Sequence, residues 1–277
     1  MRLHRFYIEQ KIAKGGEITL TDTELIHQLA NVFRFKSGQK IIVFDGTGFE
    51  YEAEIILINK KEIKLKVFAN QSSAFGNSKS LALVNQVSLF LSLIKKNNFE
   101  LATEKCTEIG VAEIHPIISE RSEKKDLNIE RLNKIVKEAS EQSGRTTLPQ
   151  VFPIIPLELA VSQVIKEGKV GLVFHTVTDS FNRPRRQNDH PSLEKEEKGE
   201  PLLNPLPRRG FSESPLPWEG GVGVGSDVAA FVGPEGGWTE AEMELFKQNN
   251  FQILSLGSNI LRAETAAMIA IWEALRL

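Results

Sequence analysis

A single cysteine, Cys106, stands in the whole chain. An internal disulfide is excluded, and a reducing compartment is expected. An excess of either charge is missing too. The 34 Lys and Arg nearly balance the 36 Asp and Glu, leaving a net charge of −2. That argues against a polybasic coat, although a local patch would still suffice for nucleic acid. No apolar run reaches the length of a membrane span. The opening MRLHRFYIEQ has no long apolar stretch after its charges, so no signal peptide is expected and the cytoplasm is the default. Neither GxGxxG nor GxxxxGK[ST] occurs, so nicotinamide and P-loop nucleotide chemistry lack their signal. The five histidines, at 4, 27, 115, 175 and 190, show no metal spacing.

What is present divides at about residue 70. Before it the chain reads mainly as short strands: RFYIE, then QKIIVFDG closed by the Asp45-Gly46 turn pair, then Phe49 to Ile58 and IKLKVFA joined near Asn59 to Lys61. One helix interrupts them, with Thr21 and Glu24 spaced as a capping box before LIHQLANVF. Short strands with few crossover helices suggest a small barrel. QSSAFGNSKS, residues 71–80, is poor in large apolar side chains and reads as a linker. Beyond it apolar strands alternate with helices: VSLFLSLI, VAEIHPII, VFPI, VGLVF, VAAFV and FQILSL, with helices near 99–110, 128–141, 157–166, 239–248 and 260–275. That pattern is an α/β fold whose parallel sheet is covered on both faces.

Phe181 to Gly225 breaks the alternation. It holds seven of the twelve prolines and six of the twenty glycines, with no periodicity. Disorder is its expected state, as an exposed insertion between two strands. Cys106 falls on the apolar stripe of the first helix after the linker, so core packing is expected of it.

Two turns near the end carry the chemistry. VAAFV runs into GPEGGW, where Gly233, Gly236 and Gly237 let a ligand approach the main chain and Pro234 keeps Gly233 out of the helical region. Thr239 and Glu242 then form a capping box. FQILSL runs into GSN and an apolar helix rich in small residues. A helix that begins after a Gly-rich turn at a strand's C-terminal end is a usual ligand position in an α/β sheet. Two such turns on neighbouring strands would hold a flat, mostly uncharged ligand. Glu264 stands in a strongly apolar segment, so it is expected to meet Arg262, another cation or a helix terminus.

Five segments together have a specific likeness: HRFYI; KCTEIGVAEIHPIISERS, residues 105–122; EASEQSGRTTLP, residues 138–149; GPEGGWTEAE from Gly233; and LGSNILRAETA from Leu256. The sequence resembles the bacterial RNA methyltransferases that modify N3 of a uridine in 16S ribosomal RNA, members of the SPOUT superfamily. The likeness covers the chain apart from the Pro/Gly-rich insertion. It implies a PUA-like β-barrel over residues 1–70 that binds RNA, and a C-terminal trefoil-knot methyltransferase domain over 81–277, interrupted at 181–225. It implies S-adenosylmethionine as cofactor, the small ribosomal subunit as substrate in place of DNA or a membrane, and a homodimer. Val232, Gly233, Pro234, Glu235, Gly236 and Gly237 would form one cofactor loop, and Leu256, Gly257, Ile260, Leu261 and Arg262 the other, with Leu256 and Gly257 near the adenine. Trp238 stands where relatives usually have Phe or Leu, and Ile109 where they often have Leu.

N3 of uridine carries a proton and is a weak nucleophile, so the protein must orient it and stabilise the anion that forms. Arg145, after the helix that ends in EQSG, is the first choice to face a uracil carbonyl, and Arg121 the second; Lys105 and Arg262 are further cations. Glu141 and Gln142 are candidates to orient the base. No residue stands out as a general base. Arg2, Arg5, Arg34, Lys36 and Lys40 would make an RNA-facing patch, although 11 Lys and Arg against nine Asp and Glu in residues 1–70 is a slight excess. The competing readings are a methyltransferase for another RNA position and an RNA-binding protein without activity. The intact glycines of GPEGG weigh against the second.

Overall fold

The computed structural model describes residues 3–13, 15–73, 86–123, 126–175, 226–257 and 259–277, and of 69–73 the backbone alone. The insertion expected at 181–225 therefore lies outside the described residues.

The first part of the chain builds a five-stranded sheet. Its strands are β1 (Arg5–Tyr7), β2 (Gly16–Leu20), β3 (Lys40–Phe44), β4 (Phe49–Ile58) and β5 (Ile63–Ser73), in the order β1-β3-β4-β5-β2. All pairs are antiparallel except β1 with β3. The period-2 pattern works as expected: Tyr51, Ala53 and Ile55 of β4 and Ile63, Leu65 and Val67 of β5 point to one buried face. The β4–β5 turn is an Asx turn, with Asn59 Oδ1 accepting from the backbone N–H of Lys61 and Glu62. Between β2 and β3 the chain forms α1 (Thr23–His27), which continues as one π-helical turn (Gln28–Val32). Its cap differs from expectation. Asp22, in place of Thr21, accepts from the N–H of Glu24 and Leu25; a carboxylate at that position also complements the helix dipole. The stretch read as a linker opens in β5, whose Gln71–Ser73 pair with Phe49–Tyr51.

The remainder is a sheet in which every pair is parallel. Its elements are β6 (Val87–Ser92), α2 (Lys96–Ile109), β7 (Glu113–Ile118), α3 (Ile129–Ser143), β8 (Gln150–Val151), β9 (Ile155–Pro156), α4 (Leu157–Glu167), β10 (Val170–Phe174), β11 (Val228–Val232), α5 (Glu240–Gln248), β12 (Gln252–Leu254) and α6 (Ala263–Ala274). The order is β12-β10-β11-β6-β7-β8, with β9 also on β7. All of β6 and β11 is buried, as strands covered on both faces require. Facing positions on β11, β6 and β7 carry Phe231, Phe90 and His115. Their rings stack at 4.6 and 4.3 Å, and Phe152 continues the column at 4.1 Å from His115. α6 starts later than expected: Ile260 is 78% exposed, and Arg262 is an extended N-cap. Cys106 is fully buried on α2, and burial pushes its thiol up to about 12, so it is an inert core residue.

The two edges of this sheet differ. At the N-terminal edge Glu113 accepts from Ser88 Oγ at 2.6 Å and from Lys169 Nζ at 2.7 Å, and lies 3.2 Å from His115 Nε2. These contacts hold its carboxyl far below the usual carboxylate range, the His115 bond contributing most. α6 runs back to this edge, where Leu275 lies against Gly110. At β10 the chain needs Gly171, because a Cβ there would sit 2.5 Å from the Phe251 ring. Gly171→Ala should therefore destabilise the protein by about 2–3 kcal/mol, read as a lower Tm in calorimetry.

Candidate functional site

The C-terminal edge gathers the loops that follow β7, β10, β11 and β12. The two Gly-bearing turns do not come from adjacent strands, as the sequence suggested. β10 lies between β11 and β12, so its end projects into the gap between the turns.

The loop after β11 is held from below. Trp238 is 4% exposed, its Nε1 donates to the Phe174 carbonyl at 3.2 Å, and its ring meets Phe246 edge-on at 5.1 Å. Gly233 passes directly over it: a Cβ at Gly233 would lie 3.1 Å from the indole. Pro234 accepts from the Gly237 N–H at 2.9 Å, and Gly237 closes the turn at φ +67. Glu235 and Gly236 are exposed on the outer side. The capping box of α5 forms as expected between Thr239 and Glu242. Glu242 does more than cap. One of its oxygens takes the Thr239 N–H and the other the Glu120 N–H, both at 2.8 Å.

That second bond ties down the loop after β7. Arg121, next to Glu120, lays its side chain across Gly236 and donates from Nη1 to the Gly236 carbonyl at 2.7 Å. A Cβ at Gly236 would meet the Arg121 stem at 3.2 Å. Ser119, Ser122 and Ser92 share a hydroxyl cluster beneath. Arg121 is thus a cation on the rim of the loop, exposed enough to turn toward a ligand.

The loop after β12 is stapled by Ser255, whose hydroxyl bonds the Gly257 backbone, with Gly257 at φ +115. Leu256, Gly257, Asn259 and Leu261 line a small cavity with Phe174 and His175. Its enclosed part is about 40 Å³, room for the edge of a ring, with the rest of any ligand lying along the loops. Ile260 and Arg262 stand outside it, both exposed. His175 is the residue that sequence reasoning missed. It directly follows β10, and its imidazole reaches within 3.9 Å of where a Cβ on Gly237 would lie. Burial lowers its pKa, favouring the neutral ring. Its signal was the strand-final position in VGLVFH, which only the strand order makes meaningful. Among the described residues no group of His, Cys, Asp and Glu could hold a metal ion.

The remaining candidates lie elsewhere. Arg145 follows α3 but does not project into open space. Its Nη1 donates to the carbonyls of Thr107 and Val111, both at 2.8 Å, at the end of α2. Val111 precedes β7, so this guanidinium sits at the N-terminal edge of the sheet, away from Arg121. Burial brings its pKa down to about 10, and it stays charged. It serves as a cap for α2, and within one chain it is not at the ligand edge. Glu141 accepts from the Tyr7 N–H at 2.9 Å and from Gln28 at 3.5 Å, joining α3 to the N-terminal sheet. Burial raises its carboxyl pKa. Gln142 is exposed beside a cleft of about 440 Å³ between the N-terminal sheet and α3, where His4, Arg5 and Phe33 also lie. Lys105 is bonded to Glu104 and Glu108 on the α2 surface. The structure therefore separates the residues expected to act together: Arg121 with the two loops, and Arg145, Glu141 and Gln142 with the N-terminal sheet.

Comparison with known proteins follows the same division. An RNA methyltransferase domain family matches residues 82–201 and 210–274, and an RNA methyltransferase PUA domain family matches 20–68. Ribosomal RNA small subunit methyltransferase E of Rickettsia conorii is 32% identical over 272 residues, covering 98% of this chain and 94% of that protein. The Bacillus subtilis protein of the same name is 26% identical over 278 residues, covering 97% and 94%. The crystal structure of ribosomal RNA small subunit methyltransferase E from Neisseria gonorrhoeae bound to S-adenosyl methionine superposes with a TM-score of 0.71 at 25% identity, covering 98% of this chain and 95% of that one.

The caps that Arg145 supplies make it a stability residue in this chain. Arg145→Ala should leave two largely buried carbonyls without their charged donor and cost about 2–4 kcal/mol. Thermal unfolding should show the loss, with Arg145→Lys recovering part of it because the ammonium keeps the charge but lacks the second nitrogen that reaches Thr147 Oγ1.

Proposed function

From the membership of this chain in the ribosomal RNA small subunit methyltransferase E family, we infer that it transfers a methyl group from S-adenosylmethionine to N3 of a uridine in the 16S RNA of the small ribosomal subunit. The observation that carries the reading is the juxtaposition at one sheet edge of a small cavity beside the loop after β12 and, on the Gly-rich loop after β11, an arginine bonded to its backbone. The cavity suits an adenine. Leu256, Leu261, Gly257 and the His175 ring are among its lining, largely apolar surfaces against which a purine ring could lie. The loop from Val232 to Gly237 would carry the methyl-bearing end, and Arg262 and Ile260 would flank the nucleoside from outside. The cofactor brings the electrophilic methyl group. The chain's own residues bind it, exclude water and orient the base. Arg121, on the rim of that loop, would face a uracil carbonyl as negative charge grows there.

Other parts of the reading rest on separate observations. A trefoil knot is supported by the path from β11 to the edge strand β12 beyond β10, and back as α6 against β11, β6 and α2. A PUA-like barrel that contacts RNA is supported by the curled order of five strands with aromatic side chains at one end: His4, Phe33 and Phe35. A homodimer is supported by Trp272 on α6, 54% exposed, beside α2 with Leu101, 40% exposed. A cytoplasmic site is supported by the lone reduced, buried Cys106. No described helix is long and apolar enough to cross a membrane. Glu141, Gln142 and Arg145 would reach the RNA only if a second copy of the chain brought them to the ligand edge.

Two experiments test this. Mass mapping of nucleosides in 16S RNA should show one N3-methyluridine that disappears when the gene is deleted. Wild-type protein should restore it, and Arg121→Ala should restore it at a rate lower by about a hundredfold, the loss expected for one anion-stabilising donor. An unchanged modification pattern on deletion would reject the substrate. In calorimetry, Gly236→Val should weaken S-adenosylmethionine binding by at least tenfold while leaving Tm nearly unchanged. The new side chain pushes Arg121 off the loop and fills the space over the main chain. Unaltered affinity would move the cofactor elsewhere.

A further inference from the structure

Among the described residues, three buried side-chain oxygens lack a hydrogen-bond partner: Thr103 Oγ1, Ser140 Oγ and Glu264 Oε2. Two are hydroxyls, one within α2 and one in the last turn of α3. The third is a carboxylate on a residue only 5% exposed. Taking a carboxylate out of water without a partner is costly, so such a group calls for an explanation, and a catalytic role is one of the recognised ones. Arg262 does not pair with it: the guanidinium is exposed, and no ion pair to Glu264 exists among the described residues.

Its place in the fold is informative. Glu264 is in the first turn of the twelve-residue α6. α6 ends beside Gly110 at the N-terminal edge of the sheet, so it begins at the C-terminal edge, where the loops after β11 and β12 lie. Glu264 shares a buried face with Ala267, Ala270, Ile271 and Ala274, and α6 packs on α2, β6 and β11. β6 and β11 carry no titratable side chain. On α2 the ionisable groups are the buried Cys106, the Lys96–Glu100 pair and the Lys105–Glu104–Glu108 cluster at its surface. The Arg262 side chain makes no N-cap hydrogen bond to α6.

We propose that Glu264 is the group that accepts the N3 proton of the target uracil. This deepens the proposed methylation and rests on it. The imide edge of uracil presents a carbonyl, an N–H and a second carbonyl. The first turn of α6 would offer it an acceptor, Glu264 Oε2, beside the partial positive charge of a helix N-terminus. In the step, the N3–H bond breaks and its proton passes to Glu264 Oε2. The electron pair left on N3 forms the bond to the methyl carbon as the carbon–sulfur bond breaks, and that bonding pair returns to sulfur. Glu264 then loses the proton to water. The other carboxylates of this edge are less suited. Both oxygens of Glu242 are bonded to backbone N–H groups, and Glu235 is exposed and solvated.

The test is single-turnover methylation of small ribosomal subunits by the full-length protein at saturating S-adenosylmethionine, across pH. For Glu264→Gln we expect binding of S-adenosylhomocysteine within threefold of wild type by calorimetry. We expect a rate at neutral pH lower by about a hundredfold or more, the usual contribution of a positioned base. The variant's rate should climb tenfold per pH unit as uridine ionises unaided, while the wild type levels off. Subunits carrying 5-fluorouridine, whose N3–H is more acidic, should restore much of the variant's rate. Glu264→Asp should show an intermediate rate with the wild-type pH profile. A wild-type rate for Glu264→Gln would overturn the proposal. So would a deficit equal at every pH and untouched by 5-fluorouridine, or loss of cofactor binding in both variants, which would assign the carboxylate to the cofactor's ammonium or to the fold. Failure of the wild type to methylate N3 would instead overturn the proposed function.

Discussion

A parallel sheet buried on both faces leaves only its two edges for polar chemistry, and this molecule is organised around that constraint. β6 and β11 carry no exposed residue, and the helices on either side complete the dry interior. Every charged group with a defined task in this part of the chain is consequently at one edge or the other. At the N-terminal edge the charges are spent on each other and on helix ends. Lys169 meets Glu113 and Glu167, and Arg145 meets the last carbonyls of α2. At the C-terminal edge Arg121 touches one backbone carbonyl, and Glu264 has one oxygen with no partner. Among the described residues, the carboxylate with a buried oxygen left unpartnered is at the C-terminal edge, which is where a ligand gains most by binding.

The helix ends follow the same division. Parallel strands joined by helices place helix N-termini at the C-terminal edge, so α5 and α6 both begin beside the loops that follow their preceding strands. α5 is fully capped by its own box. α6 is not capped by its N-cap side chain. Both helices start at this edge, and of the two only α5 has its first turn capped by its own N-cap side chain.

Much of this was legible in the chain. The strand and helix alternation after residue 86, the Thr239 box and the two Gly-bearing turns all have local causes: periodicity, cap chemistry and glycine's freedom. What was not legible depends on strand order. That β10 separates β11 from β12 is a property of the whole sheet, so the importance of His175 was invisible at its place in the sequence. Arg145 shows the same limit from the other side. A cation after a helix end reads as pointing outward, but the carbonyls of Thr107 and Val111 are brought to it by a neighbouring helix more than thirty residues earlier in the chain. The Asp22 cap was a smaller miss: two adjacent residues could each cap α1, and the carboxylate prevailed over the hydroxyl.

Glu242 has two oxygens and two masters. One completes the start of α5, and the other holds Glu120 and thereby seats Arg121. The helix and the arginine loop are therefore thermodynamically linked through a single side chain. Whatever orders Arg121 must also tighten the first turn of α5, and fraying of that turn must loosen Arg121. Occupancy of the ligand edge thus becomes readable at a distance from it, as slower amide exchange in α5, a helix that no ligand needs to touch.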